Sequence, residues 1–220
     1  MKLSIIIPAV DVPIGSGRVG YWLKNSLQSV LEGGHEDFEC FVGCDGDIES
    51  IRATVSSFND DRFRYIAFPE THTWGNYQRN RIMREYATGD YTTFMDHDDS
   101  YTKNALREMA SDAMSFPGRA FFYRVELRAG VIVWMSRDIK QPRNVAGHGV
   151  VAPHRMGYPI WGDSADRLED LYYYRAVHQH ALQRNQPVIW AETVVAKVRP
   201  WSPPELISWK GPLEEAMQVT

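Results

Sequence analysis

The apolar positions of this chain change period at regular intervals. Leu3-Ser4-Ile5-Ile6-Ile7 is a short β-branched run closed by Pro8, the pattern of a strand buried on both faces. Asp11 to Gly20 contains Pro13, Gly15, Gly17 and Gly20 and reads as a loop. Leu23, Leu27, Val30 and Leu31 then recur at helical spacing, and Gly33-Gly34 ends that helix. The cycle repeats: Phe38 to Val42 as a strand, then Ile48, Ile51, Val55 and Phe58 as a helical stripe. Phe63 to Phe68 forms a third strand closed by Pro69, followed by a helix from Asn76 to Ala87 ended by Gly89. Tyr91 to Met95 is a fourth strand running directly into Asp96, and Leu106, Met109, Ala110 and Ala113 mark the next helix.

Strand and helix alternating in this way predict an α/β fold, a parallel sheet with helices on both faces. Ligands of such sheets bind beyond the carboxyl ends of the strands. The segments there are 8–20, Cys44-Asp45-Gly46-Asp47, 69–75 and 96–100, the most polar and acidic loops of the N-terminal half.

The second half is patterned differently. Residues 120–127 and 131–136 read as a hairpin turning at Ala129-Gly130. Residues 141–149 form a polar loop and 149–152 a short strand. Leu168 to Leu182 reads as a helix rich in Tyr and His, Val188 to Val198 as a last strand, and Trp201 to Thr220 as a Pro-interrupted tail. The expected organisation is one domain with two halves, 1–100 and 101–200, followed by the tail at 201–220.

Composition narrows the function. At 220 residues the chain has room for one sizeable core. A formal charge of −4 does not favour a globally basic nucleic-acid binder. Cys40 and Cys44 lie four apart in a predicted strand, roughly 13 Å at 3.3 Å per residue, too far for a disulfide. They read as free thiols in a reducing compartment. No apolar run reaches the length of a membrane helix, and Leu3 to Val10 lacks the flanks of a signal peptide, so a soluble, cytoplasmic chain without stable membrane insertion is expected.

The chemistry centres on Asp96-His97-Asp98-Asp99. Three acids in four residues repel one another unless a cation, a basic partner or water relieves them. Carboxylate oxygens suit Mg²⁺ or Mn²⁺. Side chains two apart in extended chain point the same way, so Asp96 and Asp98 can face one site. An acidic turn leading into the following helix is the competing explanation.

The context of these acids resembles the GT-A fold, family 2-type glycosyltransferases. Gly89-Asp90-Tyr91-Thr92-Thr93-Phe94-Met95-Asp96-His97-Asp98-Asp99 is similar to the family's Gly-Asp-Tyr signature ending in Asp-x-Asp-Asp. Leu3 to Pro8 resembles its opening strand, Cys44-Asp45-Gly46-Asp47 its Asp-Gly turn, and Gly75-Asn76-Tyr77-Gln78-Arg79-Asn80 its helix start ending in Arg-Asn. Trp161-Gly162-Asp163 followed by Glu169-Asp170 is similar to its late acidic region. The resemblance spans roughly residues 3 to 180, with departures at Asp11 and Cys44, where the family usually carries Asn and an acid.

What the resemblance implies is a GT-A, Rossmann-like, mostly parallel sheet with a small mixed acceptor-side region. The activity implied is metal-dependent, inverting transfer of a sugar from a nucleotide-diphosphate donor, a UDP-sugar by analogy. Pro8 and Asp45 would line the base and ribose pocket. Arg79 or Asn80 would face the donor near its diphosphate or base. Asp96 would touch the ribose or sugar, Asp98 would hold the Mn²⁺ or Mg²⁺ that bridges the phosphates, and His148 is a candidate further ligand. Asp170 would be the catalytic base. Its predicted place on the first helical turn favours the charged carboxylate through the helix dipole. Asp163 and Asp166 stand in reserve, and Trp161 is a candidate to stack on sugar or base.

The acceptor is a saccharide or, given the basic residues Arg137, Lys140, Arg143 and Arg155, a modified nucleic-acid base such as a hydroxymethyl base. Two alternatives use the same sheet. A nucleotidyltransferase would use Gly15-Ser16-Gly17-Arg18 as a phosphate loop, and a non-catalytic sugar-nucleotide binder would lack the base.

Overall fold

The computed structural model describes residues 1–10, 19–71, 73, 75–127, 132–133, 149–162 and 169–198, with the side chains of Val19, Val133 and Glu169 excepted. The chain builds β1 (Leu3–Ala9), α1 (Val19–Leu31), β2 (Phe38–Asp45), α2 (Glu49–Ser56), β3 (Phe63–Phe68), α3 (Asn76–Glu85) and β4 (Tyr91–Phe94). It continues with β5 (Ser100–Tyr101), α4 (Ala105–Ser115), β6 (Phe121–Glu126), β7 (Ile132–Val133), β8 (Val150–Pro153), α5 (Glu169–Gln183) and β9 (Ile189–Lys197).

All strands join one sheet in the order β3-β2-β1-β4-β8-β6-β9-β5, with β7 on β6. β3, β2, β1 and β4 run parallel, Ile5 lying opposite Cys40 on one side and Thr93 on the other. β8 enters antiparallel to β4, and β6 pairs antiparallel with β8 but parallel with β9. Parallel ladders thus carry most of the paired residues, and the mixed region is confined to the second half, as the family resemblance implied.

The side-chain period of two decides which face each strand residue serves. Leu3, Ile5 and Ile7 of β1 pack with Cys40 and Val42 of β2 and with Leu23, Leu27, Ile51, Val55, Leu106 and Met109 from α1, α2 and α4. Ile6, Phe41 and Phe94 point the other way, onto Ile82 and Met83 of α3 and Tyr173, Tyr174 and Val177 of α5. A strand covered on both faces buries every residue, which is why β1 is apolar but for Ser4, whose hydroxyl is hydrogen-bonded to Glu39, and shows no alternation. Both cysteines are buried free thiols within this core.

Most boundaries fall within a few residues of the sequence pattern, and three differences bear on the site. β1 runs through Pro8 to Ala9 instead of stopping before it. β2 extends to Asp45, and Asp45 pairs with Phe68. The two-residue β5 was not anticipated; it pairs antiparallel with β9, Ser100 opposite Lys197, a partner nearly a hundred residues away. The hairpin is present as β6 against β7, while its turn at Ala129-Gly130, the polar loop at 141–148 and the tail at 201–220 lie outside the described residues. Among the described residues no helix is long and apolar enough to cross a membrane.

Candidate functional site

β1 has β2 on one side and β4 on the other, so the chain leaves the sheet in diverging directions at their carboxyl ends. The acidic turn stands there. β4 ends at Phe94, the Met95 amide still donates to the Ile6 carbonyl at 3.2 Å, and Asp96 follows. The Asp99 amide closes the turn onto the Asp96 carbonyl at 3.2 Å. One carboxylate oxygen from each of Asp96, Asp98 and Asp99 lies within 4.8 Å of the others, with Asp99 buried and the other two half-buried. Three oxygen donors so placed fit a hard divalent cation such as Mg²⁺ or Mn²⁺.

Asp45 closes β2 on the neighbouring strand. Its Oδ1 accepts from the Thr71 amide at 2.7 Å, the Thr71 hydroxyl at 3.2 Å and Gln78 Nε2 at 2.9 Å. Asp47 of the same turn serves elsewhere, paired with Arg52 and accepting from the Tyr65 hydroxyl at 2.9 Å, and these partners hold its carboxyl below the usual range. Pro8 is buried at the end of β1, directly under the start of α3. Gly75 makes that approach possible: its φ is +90°, and a Cβ there would stand 2.5 Å from Pro8 Cβ.

α3 presents its first turns to the site. Arg79 is buried, and its Nη2 donates to Asp96 Oδ1 at 2.6 Å in an ion pair. Its guanidinium lies over the Trp161 ring, 4.4 Å from the centroid. Asn80, expected near the donor, binds protein backbone instead. Its Nδ2 donates to the Trp161 carbonyl at 2.9 Å and its Oδ1 accepts the Trp161 amide at 2.9 Å. Asn76 Nδ2 donates to the Gly162 carbonyl at 3.1 Å.

Trp161 is accordingly not a sugar platform. It is 1% exposed, stacked on Tyr173 at 4.4 Å with 6° between the rings, and met edge-on by Phe94. Through Tyr173 the stack reaches α5, whose first turn carries Asp170, half-buried, as the helical pattern predicted. Burial pushes the Tyr173 and Tyr174 hydroxyls well up; the Arg79 charge lowers the first and the Asp170 charge raises the second. His148, Asp163, Asp166 and the loop Gly15-Ser16-Gly17-Arg18 lie outside the described residues.

The structure therefore gathers Pro8, Asp45, Arg79, Asp96 and Asp98 at one end of the sheet, and turns Asn80 toward the segment leading to Asp170. Sequence reasoning missed Thr71 and Gln78, which hold Asp45, and Ser26, which meets the acidic turn from α1. Ser26 had a signal: it is a polar residue within the apolar stripe of α1.

Known proteins share this architecture. The model of the family described as glycosyl transferase family 2 matches residues 4–150. An uncharacterized glycosyltransferase of Rickettsia bellii (strain RML369-C) is 31% identical over 105 residues, covering 48% of this chain and 14% of that protein. The GalNAc(5)-diNAcBac-PP-undecaprenol beta-1,3-glucosyltransferase of Campylobacter jejuni is 25% identical over 114 residues, 51% of this chain and 34% of that one. The chain thus spans a minor part of the length of either curated relative. Among solved structures, S. aureus TarS 1–349 in complex with UDP-GlcNAc superposes with a TM-score of 0.74 at 14% identity, covering 96% of this chain and 62% of that one. The mannosyltransferase PcManGT from Pyrobaculum calidifontis, in complex with GDP-Man and Mn²⁺, does so with a TM-score of 0.60 at 14% identity, covering 89% and 56%. With its sheet order, its acidic turn after β4 and the family match over most of its length, this chain belongs to glycosyl transferase family 2 and has the fold of the GT-A glycosyltransferases.

Proposed function

We propose that the chain transfers a sugar, with inversion, from a nucleotide-diphosphate donor, a UDP-sugar, to an acceptor hydroxyl. The observation that carries this reading is the convergence of the Asp96, Asp98 and Asp99 carboxylates beside the buried Arg79 at the carboxyl end of the sheet. Support comes from similar structures holding UDP-GlcNAc, or GDP-Man with Mn²⁺.

In this reading Pro8 and Asp45 line the nucleoside pocket, Asp45 held in place by Thr71 and Gln78. Asp96, Asp98 and Asp99 would hold Mn²⁺ or Mg²⁺, and His148 is a further proposed ligand. When bound there, such an ion would supply Lewis-acid stabilisation of the negative charge on the leaving diphosphate. Arg79, fixed against Asp96, adds a second positive charge near the diphosphate. Asn80 contributes indirectly, by gripping Trp161. Asp170 takes the acceptor hydroxyl proton as the new bond forms at the anomeric carbon and the bond to phosphate breaks on the opposite face. The first hundred residues form the donor side, residues 101–200 the acceptor side, and the acceptor is a saccharide or a hydroxymethylated nucleic-acid base. Two buried free thiols fit a reducing, cytoplasmic setting.

Thermal unfolding across a nucleotide panel, with and without Mn²⁺, tests the reading. UDP with Mn²⁺ should raise the melting temperature of the wild type, and Asp98→Ala should lose that gain. No response to any nucleoside diphosphate would overturn it.

A further inference from the structure

Carboxylate oxygens held within 4.8 Å of one another repel, and although Arg79 pairs with Asp96, that repulsion works to spread the turn between Asp96 and Asp99. Ser26 of α1 lies against the backbone of this turn and is fully buried. Its hydroxyl stands 2.5 Å from the Asp99 carbonyl, 2.9 Å from the His97 carbonyl and 3.1 Å from the Trp22 carbonyl of its own helix. One hydroxyl carries one proton, so the three carbonyls share it, and the Asp99 carbonyl, being nearest, takes the largest part. One turn of helix further on, Ser29 Oγ accepts the Tyr101 amide at 3.0 Å and donates to the Ser26 carbonyl at 2.6 Å. Both serines sit among Leu23, Leu27 and Val30, where an apolar residue would be the default. Besides the bonds within α1, their hydrogen bonds run to backbone groups of the acidic turn and of the strand that follows it.

We propose that Ser26 is a positioning residue of the cation site: it ties the backbone of the acidic turn to α1 and so helps to hold the carboxylates together before an ion arrives. The inference rests on the reading that this turn binds a divalent ion. Without the hydroxyl the turn relaxes outward, and part of the binding energy of the ion goes into drawing the acids back together.

The test is Mn²⁺ affinity in the presence of UDP, read from the electron paramagnetic resonance signal of free Mn²⁺, for wild type, Ser26→Ala, Ser26→Cys and Val30→Ala. Val30→Ala opens an apolar defect in the same helix without removing a side-chain hydrogen bond. Ser26→Cys keeps the shape with a weaker donor and serves if the alanine variant does not fold. Both Ser26 variants should bind Mn²⁺ more weakly, Ser26→Ala by roughly five- to thirty-fold, the range that one or two lost hydrogen bonds imply. Val30→Ala should keep wild-type affinity, and saturating Mn²⁺ should restore turnover in Ser26→Ala. Wild-type affinity in the Ser26 variants, or equal weakening in Val30→Ala, would overturn the role of Ser26 alone. A wild type that binds no Mn²⁺ would overturn the cation reading together with it.

Discussion

Glu39 offers a quantitative test of how the site's platform is held. It is the second residue of β2, at the end of the sheet opposite the acidic turn, and is 2% exposed. Its carboxylate receives Lys2 Nζ at 2.7 Å, the Ser4 hydroxyl at 2.6 Å, the Thr88 amide at 2.5 Å and hydroxyl at 2.9 Å, and the Gly89 amide at 3.1 Å. One side chain thus ties the entries of β1, β2 and β4 together, and these are the strands whose far ends carry Pro8, Asp45 and Asp96. Burial pushes the carboxyl upward, but the bonds from Lys2, Ser4 and Thr88 outweigh it and bring it from 4.5 down to about 2. That difference is worth about 3 kcal/mol of folded-state stability. Because the folded value is depressed, the stability is fully present above the unfolded value of 4.5 and is lost as pH falls toward about 2. Glu39→Gln keeps the shape, removes the charge and turns an amide group toward a cluster of donors. It should lose about 3 kcal/mol at pH 7, a drop of about 6–12 °C in melting temperature for a domain of this size. In urea unfolding the gap between wild type and variant should stay constant from pH 7 to pH 5 and shrink to about half by pH 3. A variant within about 1 kcal/mol of wild type at pH 7, or a gap that does not change with pH, would refute the argument.

Two further outcomes follow from the site. Asp170→Asn should keep the thermal stabilisation by UDP with Mn²⁺ and lose transfer by about 10²-fold or more, measured as product formed from a UDP-sugar; intact transfer would remove Asp170 as the base. Asn80→Ala strands the buried amide and carbonyl of Trp161 and should destabilise the fold by about 2–4 kcal/mol in urea unfolding, with a loss below about 1 kcal/mol counting against the clamp.

The alternation of apolar runs determined the sheet-and-helix layering and the end of the sheet at which polar loops collect. A doubly covered strand is mostly apolar on both faces, and a helix shows one stripe; both demands are local and are written residue by residue, as in Leu3–Ala9 and Leu23–Val30. The order of acids in Asp96-His97-Asp98-Asp99 was equally local, so the candidate cation site could be read directly. What only the tertiary structure decided were partners distant along the chain. Ser100 finds Lys197, Asn80 grips Trp161 eighty-one residues away, and Arg79 is pressed between Asp96 and an indole. Asn80 and Trp161 looked like ligand-facing residues because polar and aromatic side chains serve buried networks and binding surfaces alike. Which of the two they serve depends on what packs against them, and long-range contacts of that kind leave no period in a sequence.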